Sequence, residues 1–333
     1  MSNQHLGGWS EKETNILKKN IKKSMKELEK LLPGRSIGAI EKKKKRLKES
    51  NTIPSIEQQT IDKLDENILL EELSKRGWVS SKTNIRLDKT YKFPKKLKPF
   101  KIGVVSDTHL GSTQQQLTFL HKAYKEMKEE GIETVYHPGD IVEGSGKMFL
   151  DQPYEMFVHG GDAMVDYVIK AYPREEGITT YIIGGNHDYS YFKDNGIDIV
   201  KKICEKREDI KYLGTFGAYV NIGNISIYLM HPDGGGSYAL SYKPQKIIEQ
   251  FTPQKKPHII LIGHYHVPLM MPCYRNVNAF QLPGFQAQTT FLKRKGKDPV
   301  IGYLILEITP NERGIERLKS EWRLFYEPIS GDY

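Results

Sequence analysis

The chain has 333 residues, of which 38% are hydrophobic and 27% are charged. This composition excludes a disordered chain, and the length is sufficient for a catalytic domain with a smaller unit attached. No stretch approaches the roughly 20 apolar residues of a membrane helix, and the first residues lack the apolar core of a signal peptide. Two cysteines without a CxxC spacing predict no disulfide framework and a cytoplasmic location.

The net charge of +9 is concentrated near the N-terminus. Residues 1–50 hold 14 Lys and Arg against 6 Asp and Glu, whereas the rest of the chain has a balance of only +1. A basic unit joined to a nearly neutral body indicates a polyanionic partner, and we expect that partner to be DNA.

Three short helices are predicted within residues 1–50. Ser10 and Glu13 form a capping box at the start of the first helix, Pro33-Gly34 ends the second, and Ser36 begins the third. Apolar residues recur at helical spacing along each of them. The outer face of the third helix is basic, and its predicted nucleic-acid contacts are Lys42, Lys43, Lys45 and Arg46.

Residues 51–98 are predicted to be a linker with one helix and a basic, proline-broken connector. From residue 99 to residue 333, apolar strands alternate with helical patterns, which predicts an α/β domain with helices on the faces of a central sheet or sheets. The predicted strands are Ile102–Ser106, Thr134–His137, Thr179–Ile183, Ile225–Met230, Ile259–Gly263 and Ile301–Ile308.

Polar clusters directly follow five of these strands. They are Asp107-Thr108-His109, Gly139-Asp140, Gly185-Asn186-His187-Asp188, His231 and Gly263-His264-Tyr265-His266. Strand ends that share one edge of a sheet would bring these clusters together in a crevice. Carboxylates, imidazoles and an amide oxygen are ligands of hard or borderline divalent metals, and the lack of thiolates disfavours a structural zinc site. Each cluster alone is typical of a turn, but the five in this order predict a metal centre.

The series resembles the calcineurin-like metallophosphoesterases over roughly residues 101–326. The resemblance implies a layered β-sandwich flanked by helices and two divalent metal ions, with Mn²⁺ expected and Mg²⁺, Fe²⁺ or Zn²⁺ compatible. It implies that Asp107, His109 and His266 bind one ion. It further implies that Asn186, His231 and His264 bind the other and that Asp140 bridges both.

The same resemblance assigns a catalytic role to His187, which would approach the substrate phosphate, and to Asp188, which would orient its ring. Two neighbouring residues are less determined by the pattern. Glu143 either supports the metal site or is merely exposed, and His137 is expected to pack near the site without binding metal.

The N-terminal unit resembles the Myb/SANT-type helix-turn-helix over about residues 8–50, from Trp9 and Glu13 to Ala39-Ile40. Lys44 stands where an aromatic core residue is common in that family, and lysines replace the usual base-reading residues. Because lysines bind phosphates as point charges, the unit is expected to bind nucleic acid without strong sequence preference. The alternatives are a solvated lysine-rich helix and a protein-interaction unit.

Together these patterns predict a two-metal phosphoesterase that hydrolyses DNA, similar to repair nucleases of the SbcD type and suited to a bacterial or phage-encoded setting. Two alternatives remain. A phosphatase or phosphodiesterase acting on a small molecule or phosphoprotein would suit the nearly neutral body. A non-catalytic DNA-tethering protein would need no metal ligands, and the complete ligand set argues against it.

Overall fold

The computed structural model of the protein describes residues 9–21, 23–50, 88–145 and 153–333. The chain divides into two units, Met1–Ile85 and Arg86–Tyr333. The predicted linker helix falls within residues 51–87 and therefore lies outside the described residues.

The N-terminal unit contains three helices, as the sequence predicts: α1 (Glu11–Lys19), α2 (Met25–Leu31) and α3 (Ile37–Ser50). The capping box at α1 is present, because the Glu13 N–H donates to Ser10 Oγ at 3.2 Å and the Ser10 N–H donates to the Glu13 carboxylate at 2.8 Å. A small core of its own holds the helices together, formed by Leu17, Leu28, Leu32, Ile40 and Leu47.

The second unit is built on two six-stranded sheets. The first sheet has the order β1-β6-β7-β8-β10-β9 and the second has the order β12-β11-β2-β3-β4-β5. The strands are β1 (Lys89–Phe93), β2 (Phe100–Val104), β3 (Thr134–Pro138), β4 (Thr179–Gly184), β5 (Ile210–Thr215), β6 (Gly217–Ile222), β7 (Ile225–Met230), β8 (Ile259–Ile262), β9 (Leu269–Tyr274), β10 (Val277–Gln281), β11 (Ile301–Asn311) and β12 (Gly314–Phe325). All six predicted strands are present, and each ends within a few residues of its predicted limit.

The sheets pack face to face over one apolar core, to which β2 and β4 of the second sheet and β7 and β8 of the first contribute buried Ile, Val and Leu side chains. Helices cover the outer faces, which makes the layered α/β sandwich that the sequence predicts. The helices are α4 (Leu117–Glu129), α5 (Gly161–Ala171), α6 (Asn186–Asn195), α7 (Ile199–Lys206), α8 (Tyr242–Glu249) and α9 (Thr290–Arg294).

Strand β1 differs from the prediction, which assigned its residues to a connector and began the domain at residue 99. Lys89–Phe93 pair in parallel with β6, and the side chains of Tyr91 and Phe93 pack against the core between the sheets. The alternation of Thr90-Tyr91-Lys92-Phe93 is a strand pattern, but the surrounding lysines and Pro94 obscured it. The sandwich therefore begins before residue 99.

The five strands that precede the polar clusters belong to both sheets. Strands β2, β3 and β4 are parallel neighbours in the second sheet, whereas β7 and β8 are parallel neighbours in the first. The expectation that one sheet edge gathers all the clusters is therefore wrong, and the clusters meet at one end of the sandwich. Within the described ranges, no helix is long and apolar enough to cross a bilayer.

Candidate metal centre

Three overlapping groups of acidic and histidine side chains lie at this end of the sandwich, with the ligand atoms of each group within 4.8 Å of one another. They are Asp107, His109 and His266; His109, Asp140 and His187; and Asp140, His231 and His264. Asp140 and His109 each belong to two of the groups, and Asp140 is the only carboxylate that does. Its Oδ2 lies 3.0 Å from His231 Nε2 and 3.9 Å from His109 Nε2.

Asn186, the seventh predicted ligand, reaches the same place from the first turn of α6. Its Oδ1 lies 3.0 Å from His231 Nε2 and 2.8 Å from His264 Nδ1. On the other side of the centre, His109 Nε2 lies 3.1 Å from His266 Nε2, and His266 Nε2 lies 3.5 Å from Asp107 Oδ1. The structure thus brings all seven predicted ligands together.

The hydrogen-bond geometry of two histidines tests whether this group fits a metal ion. His231 Nδ1 lies 2.8 Å from the Pro138 carbonyl oxygen, and His264 Nε2 lies 2.8 Å from that of Gly234. Each carbonyl can accept an N–H from the ring nitrogen beside it, so the other ring nitrogen is the one that can bind a metal ion once it is deprotonated. Those two nitrogens both face Asn186 Oδ1. Acceptors gathered around one point fit a divalent cation, with the carbonyls fixing the tautomer of each ligand.

Charge in the centre favours cations as well. Burial opposes protonation of His187, but the carboxylates of Asp140 and Glu143 outweigh it and raise the pKa of that ring to about 9. Burial acts in the same sense on His231, where Asp140 raises the pKa to about 9. Burial and the neighbouring His231 lower the pKa of His264 to about 4. At His231, a proton and a metal ion therefore compete for the same lone pair.

The backbone is strained where it presents the ligands. Nine non-glycine residues in the described chain have positive φ, and five of them are predicted ligands, namely Asp107, His109, Asp140, His264 and His266. Such angles are uncommon for residues with a side chain and persist where the surrounding structure enforces them. The turns after β2, β3 and β8 therefore direct their ligands inward at some cost in stability.

Glycines next to the ligands leave room that no side chain could share. A methyl group on Gly139 would lie 2.5 Å from His231 Nδ1, and one on Gly185 would overlap the Asp140 carboxylate. At Gly184 the added methyl would meet Thr215 and Val200 at 3.7 Å and Asp188 Cβ at 3.9 Å, which are ordinary van der Waals distances.

Gly185→Ala is therefore expected to displace Asp140 and to lower metal-dependent hydrolysis of bis-p-nitrophenyl phosphate by about 10²-fold, as ångström-scale displacements do. The overlap should also lower the melting temperature in a thermal unfolding scan. Gly184→Ala is the matched control and should behave like the wild type. Equal activity of the two variants would show that the close approach of Gly185 to Asp140 does not matter for activity.

Asp188 does not have its predicted role, because its carboxylate does not orient the His187 ring. Within the described residues it accepts backbone N–H groups, including those of Asp140 and Gly185, both at 2.8 Å, and that of Val142 at 3.1 Å. Burial and the neighbouring Asp140 raise its pKa to about 7, against the effect of these hydrogen bonds. Asp188 instead holds the loop after β3 against the start of α6.

Glu143 is the residue beside the His187 ring. It is only 3% exposed, and its Oε1 lies 2.7 Å from His187 Nδ1. Its Oε2 accepts a hydrogen bond from Gln286 Nε2 at 2.5 Å and lies 3.4 Å from His109 Nδ1. Of the two readings that the sequence left open, burial and contact support the first. The position of Glu143 three residues after Asp140 could have indicated its role from the sequence. Nothing in the sequence indicated Gln286.

His137 is buried and lies 3.3 Å from Thr108 Oγ1, and burial lowers its pKa to about 4. Its contact with Thr108, which lies between two of the predicted ligands, agrees with the prediction that it packs near the site. The predicted nucleic-acid contacts lie on α3 in the other unit. Lys42 and Lys45 are exposed there, Lys43 lies over the Trp9 ring at 5.7 Å, and the side chain of Arg46 is outside the described part.

Comparisons with known proteins bear on the fold and the family. Similar solved structures include a single mutant of Vps29 from Entamoeba histolytica, with 15% identity, a TM-score of 0.35, and coverage of 68% of this chain and 99% of that one. A protein from Streptococcus pneumoniae described as a predicted phosphoesterase has 14% identity, a TM-score of 0.35, and coverage of 68% and 100%. The nuclease MPE from Pseudomonas putida has 17% identity, a TM-score of 0.30, and coverage of 56% and 76%.

No curated protein matches the chain by sequence. A family model described as the calcineurin-like phosphoesterase superfamily domain, however, matches residues 100–308, which run from β2 into β11 and contain every predicted metal ligand. The chain therefore belongs to the calcineurin-like phosphoesterase superfamily.

Proposed function

We propose that this protein is a two-metal phosphodiesterase that cleaves DNA, with the N-terminal unit binding the same polymer. The observation that supports hydrolysis most directly is the set of seven oxygen and nitrogen donors that meet at the end of the sandwich. The family accounts for a metal-dependent phosphoesterase in general, and the charge of the N-terminal unit supports the choice of substrate.

The donors divide into two ligand sets that share Asp140, with Asp107, His109 and His266 on one side and Asn186, His231 and His264 on the other. Two divalent ions, which we propose to be Mn²⁺, would supply an activated water and positive charge for the phosphate oxygens.

His187 faces the same centre, since its Nε2 lies 4.0 Å from Asp140 Oδ2. Glu143 Oε1 lies beside Nδ1 and can accept its N–H, so Nε2 is the ring nitrogen that would face a phosphate held at the centre. From there Nε2–H can donate a hydrogen bond to a phosphate oxygen or a proton to the leaving oxygen. Neither step requires a nucleophilic side chain.

A specific observation favours a second candidate, which is a phosphatase or phosphodiesterase for small molecules or phosphoproteins. Beyond residue 50 the chain is nearly neutral, and a small substrate would need no extended basic surface. A non-catalytic tether is the weaker alternative, because such a protein would have no use for a complete and strained set of ligands.

The deciding experiment measures Mn²⁺-dependent cleavage of single-stranded DNA, double-stranded DNA and bis-p-nitrophenyl phosphate by the intact protein, with EDTA as the blank. Cleavage of DNA and of the small diester supports the proposal. Cleavage of the small diester alone would favour the second candidate, and cleavage of neither would favour the tether.

Removing two exposed lysines from α3 should weaken the binding of DNA. We expect Lys42→Ala combined with Lys45→Ala to raise the KM for duplex DNA relative to that for the small diester. The slope of log KM against log salt should fall by about 2, since each phosphate contact contributes about 0.9. The charge-matched control, Lys12→Ala with Lys19→Ala on α1, should leave the slope unchanged. If both double variants keep the wild-type slope, α3 is excluded as the DNA-binding face.

A further inference from the structure

A cavity of about 730 Å³ opens over the metal centre, and two segments outside the ligand set form its walls. One wall is the loop after β7, from Gly234 through Tyr238 to Lys243 at the start of α8. The other is the segment around α9, which includes Phe291, Lys295 and Lys297. Apart from the Gly234 carbonyl oxygen beside His264, the chemistry proposed for the centre uses neither wall, so the composition of the walls is evidence about the substrate.

The lysines of the cavity walls carry charge that the protein does not neutralise. In the described parts of the chain, Lys243, Lys295 and Lys297 form no ion pair, whereas Lys246 on α8 pairs with Glu249 at 2.9 Å. Besides Asp140 and Glu143 at the centre, two acids line the cavity, Glu155 and Asp298. Glu155 accepts a hydrogen bond from the Phe291 N–H at 3.2 Å, which anchors the start of α9. The lysines remain available for anionic groups of a ligand.

Large side chains are exposed beside these lysines. Tyr238 is fully exposed, and Phe291 is 37% exposed with Lys295 Nζ lying 5.8 Å from its ring centroid. Exposed aromatic rings interleaved with lysines are the combination that binds unpaired nucleotides, because the rings stack on bases and the lysines follow the phosphates. A substrate with a phosphate group alone would use the lysines but not the rings.

The size of the cavity selects among nucleic acids. A cube of about 730 Å³ has an edge of about 9 Å, which is less than the roughly 12 Å width of the DNA major groove alone. A duplex is therefore too large to enter, whereas one or two unpaired nucleotides are of the size that such cavities enclose.

From these observations we propose that the metal centre takes an unpaired nucleic-acid strand. Its bases stack on Tyr238 and Phe291, and the phosphates beside the cleaved bond contact Lys243, Lys295 and Lys297. This inference rests on the DNA cleavage proposed above and adds the form of the substrate at the site.

The test compares variants of the full-length protein on a single-stranded oligothymidylate and on bis-p-nitrophenyl phosphate, both with Mn²⁺. For Tyr238→Ala we expect the KM for the strand, relative to that for the small diester, to rise by about 5- to 150-fold, the usual effect of losing one stacked base. Tyr238→Phe keeps the ring and should restore the wild-type ratio. Tyr326→Ala removes another largely exposed tyrosine that does not line the cavity and is the matched control.

Charge is tested separately with the combined variant Lys295→Ala and Lys297→Ala. The slope of log KM against log salt for the strand should fall by about 1.4, since each contact with a single strand contributes about 0.7. A wild-type slope in this variant would exclude the lysines as phosphate contacts.

Other results would overturn the inference in distinguishable ways. If the wild type cleaves DNA but Tyr238→Ala keeps the wild-type ratio of KM values, the stacking site is wrong while the proposed function stands. The same holds if a fully paired hairpin is cut faster than the oligothymidylate. If the wild type cleaves the small diester and no DNA of either form, the proposed substrate and this inference fail together.

Discussion

Asp140→Asn is expected to abolish hydrolysis of both bis-p-nitrophenyl phosphate and DNA, with a loss of at least about 10³-fold in kcat/KM. Asp140 is the carboxylate shared by two of the three ligand groups, so its replacement weakens both halves of the centre. Lewis-acid and charge stabilisation by bound metal amounts to several kcal/mol, which corresponds to a loss of this size. The measurements are steady-state kinetics with Mn²⁺ and the metal content per chain, which should fall as well.

The amide nearly matches the carboxylate in shape. Its Oδ1 can still accept the hydrogen bond from the backbone N–H of His187, which Asp140 Oδ1 accepts at 2.8 Å. A folded but inactive variant is therefore expected, and a thermal melt in EDTA verifies it. Asp162→Asn removes an exposed carboxylate of α5 and is the control that should keep full activity and metal content. Wild-type turnover by Asp140→Asn would remove the centre from the mechanism.

His187→Ala should give the second-largest effect, a reduction of kcat by about 10²- to 10⁴-fold while metal content is maintained. His187 directs Nε2 toward the centre with Glu143 beside Nδ1, and a group that donates a proton or hydrogen bond in the transition state contributes a factor of this size. Metal binding should survive because the seven ligands do not include this ring.

Steady-state kinetics and metal analysis on the same preparation separate the two roles. A parallel loss of metal would make His187 a ligand instead, and unchanged kcat would exclude it from the chemistry. His121→Ala is the control. That ring lies beside the Ala171 carbonyl, away from the cavity walls, and its removal should leave both quantities unchanged.

Much of the domain from residue 99 onward could be predicted from the sequence, because the signals that indicate its strands and its ligands are local. Each ligand follows an apolar strand directly, so the pattern of strand and polar cluster is readable along the chain. Which strands are neighbours is not local. The pairing of β7 with β8 in one sheet and of β2 with β3 in the other arises from contacts between distant segments, and a pattern read in chain order cannot separate the two sheets.

The roles of Asp188 and Glu143 show the same limit within the site. Asp188 is adjacent to His187 in the chain, which favoured it as the partner of that ring. Because residues 186–195 form α6, however, Asp188 turns toward the backbone of the loop after β3, and Glu143 reaches the ring from that loop. Gln286 carried no signal because a lone glutamine after β10 is ordinary loop composition.

The origin of the ligands in two sheets has a consequence for folding. Asp107, His109, Asp140 and Asn186 extend from the second sheet, whereas His231, His264 and His266 extend from the first. Every ion held in this arrangement would join the two sheets as a clamp, in the way that a disulfide joins the sheets of other sandwiches. Metal binding would then count toward the stability of the sandwich, and loss of one ligand would loosen the contact between the sheets along with the chemistry.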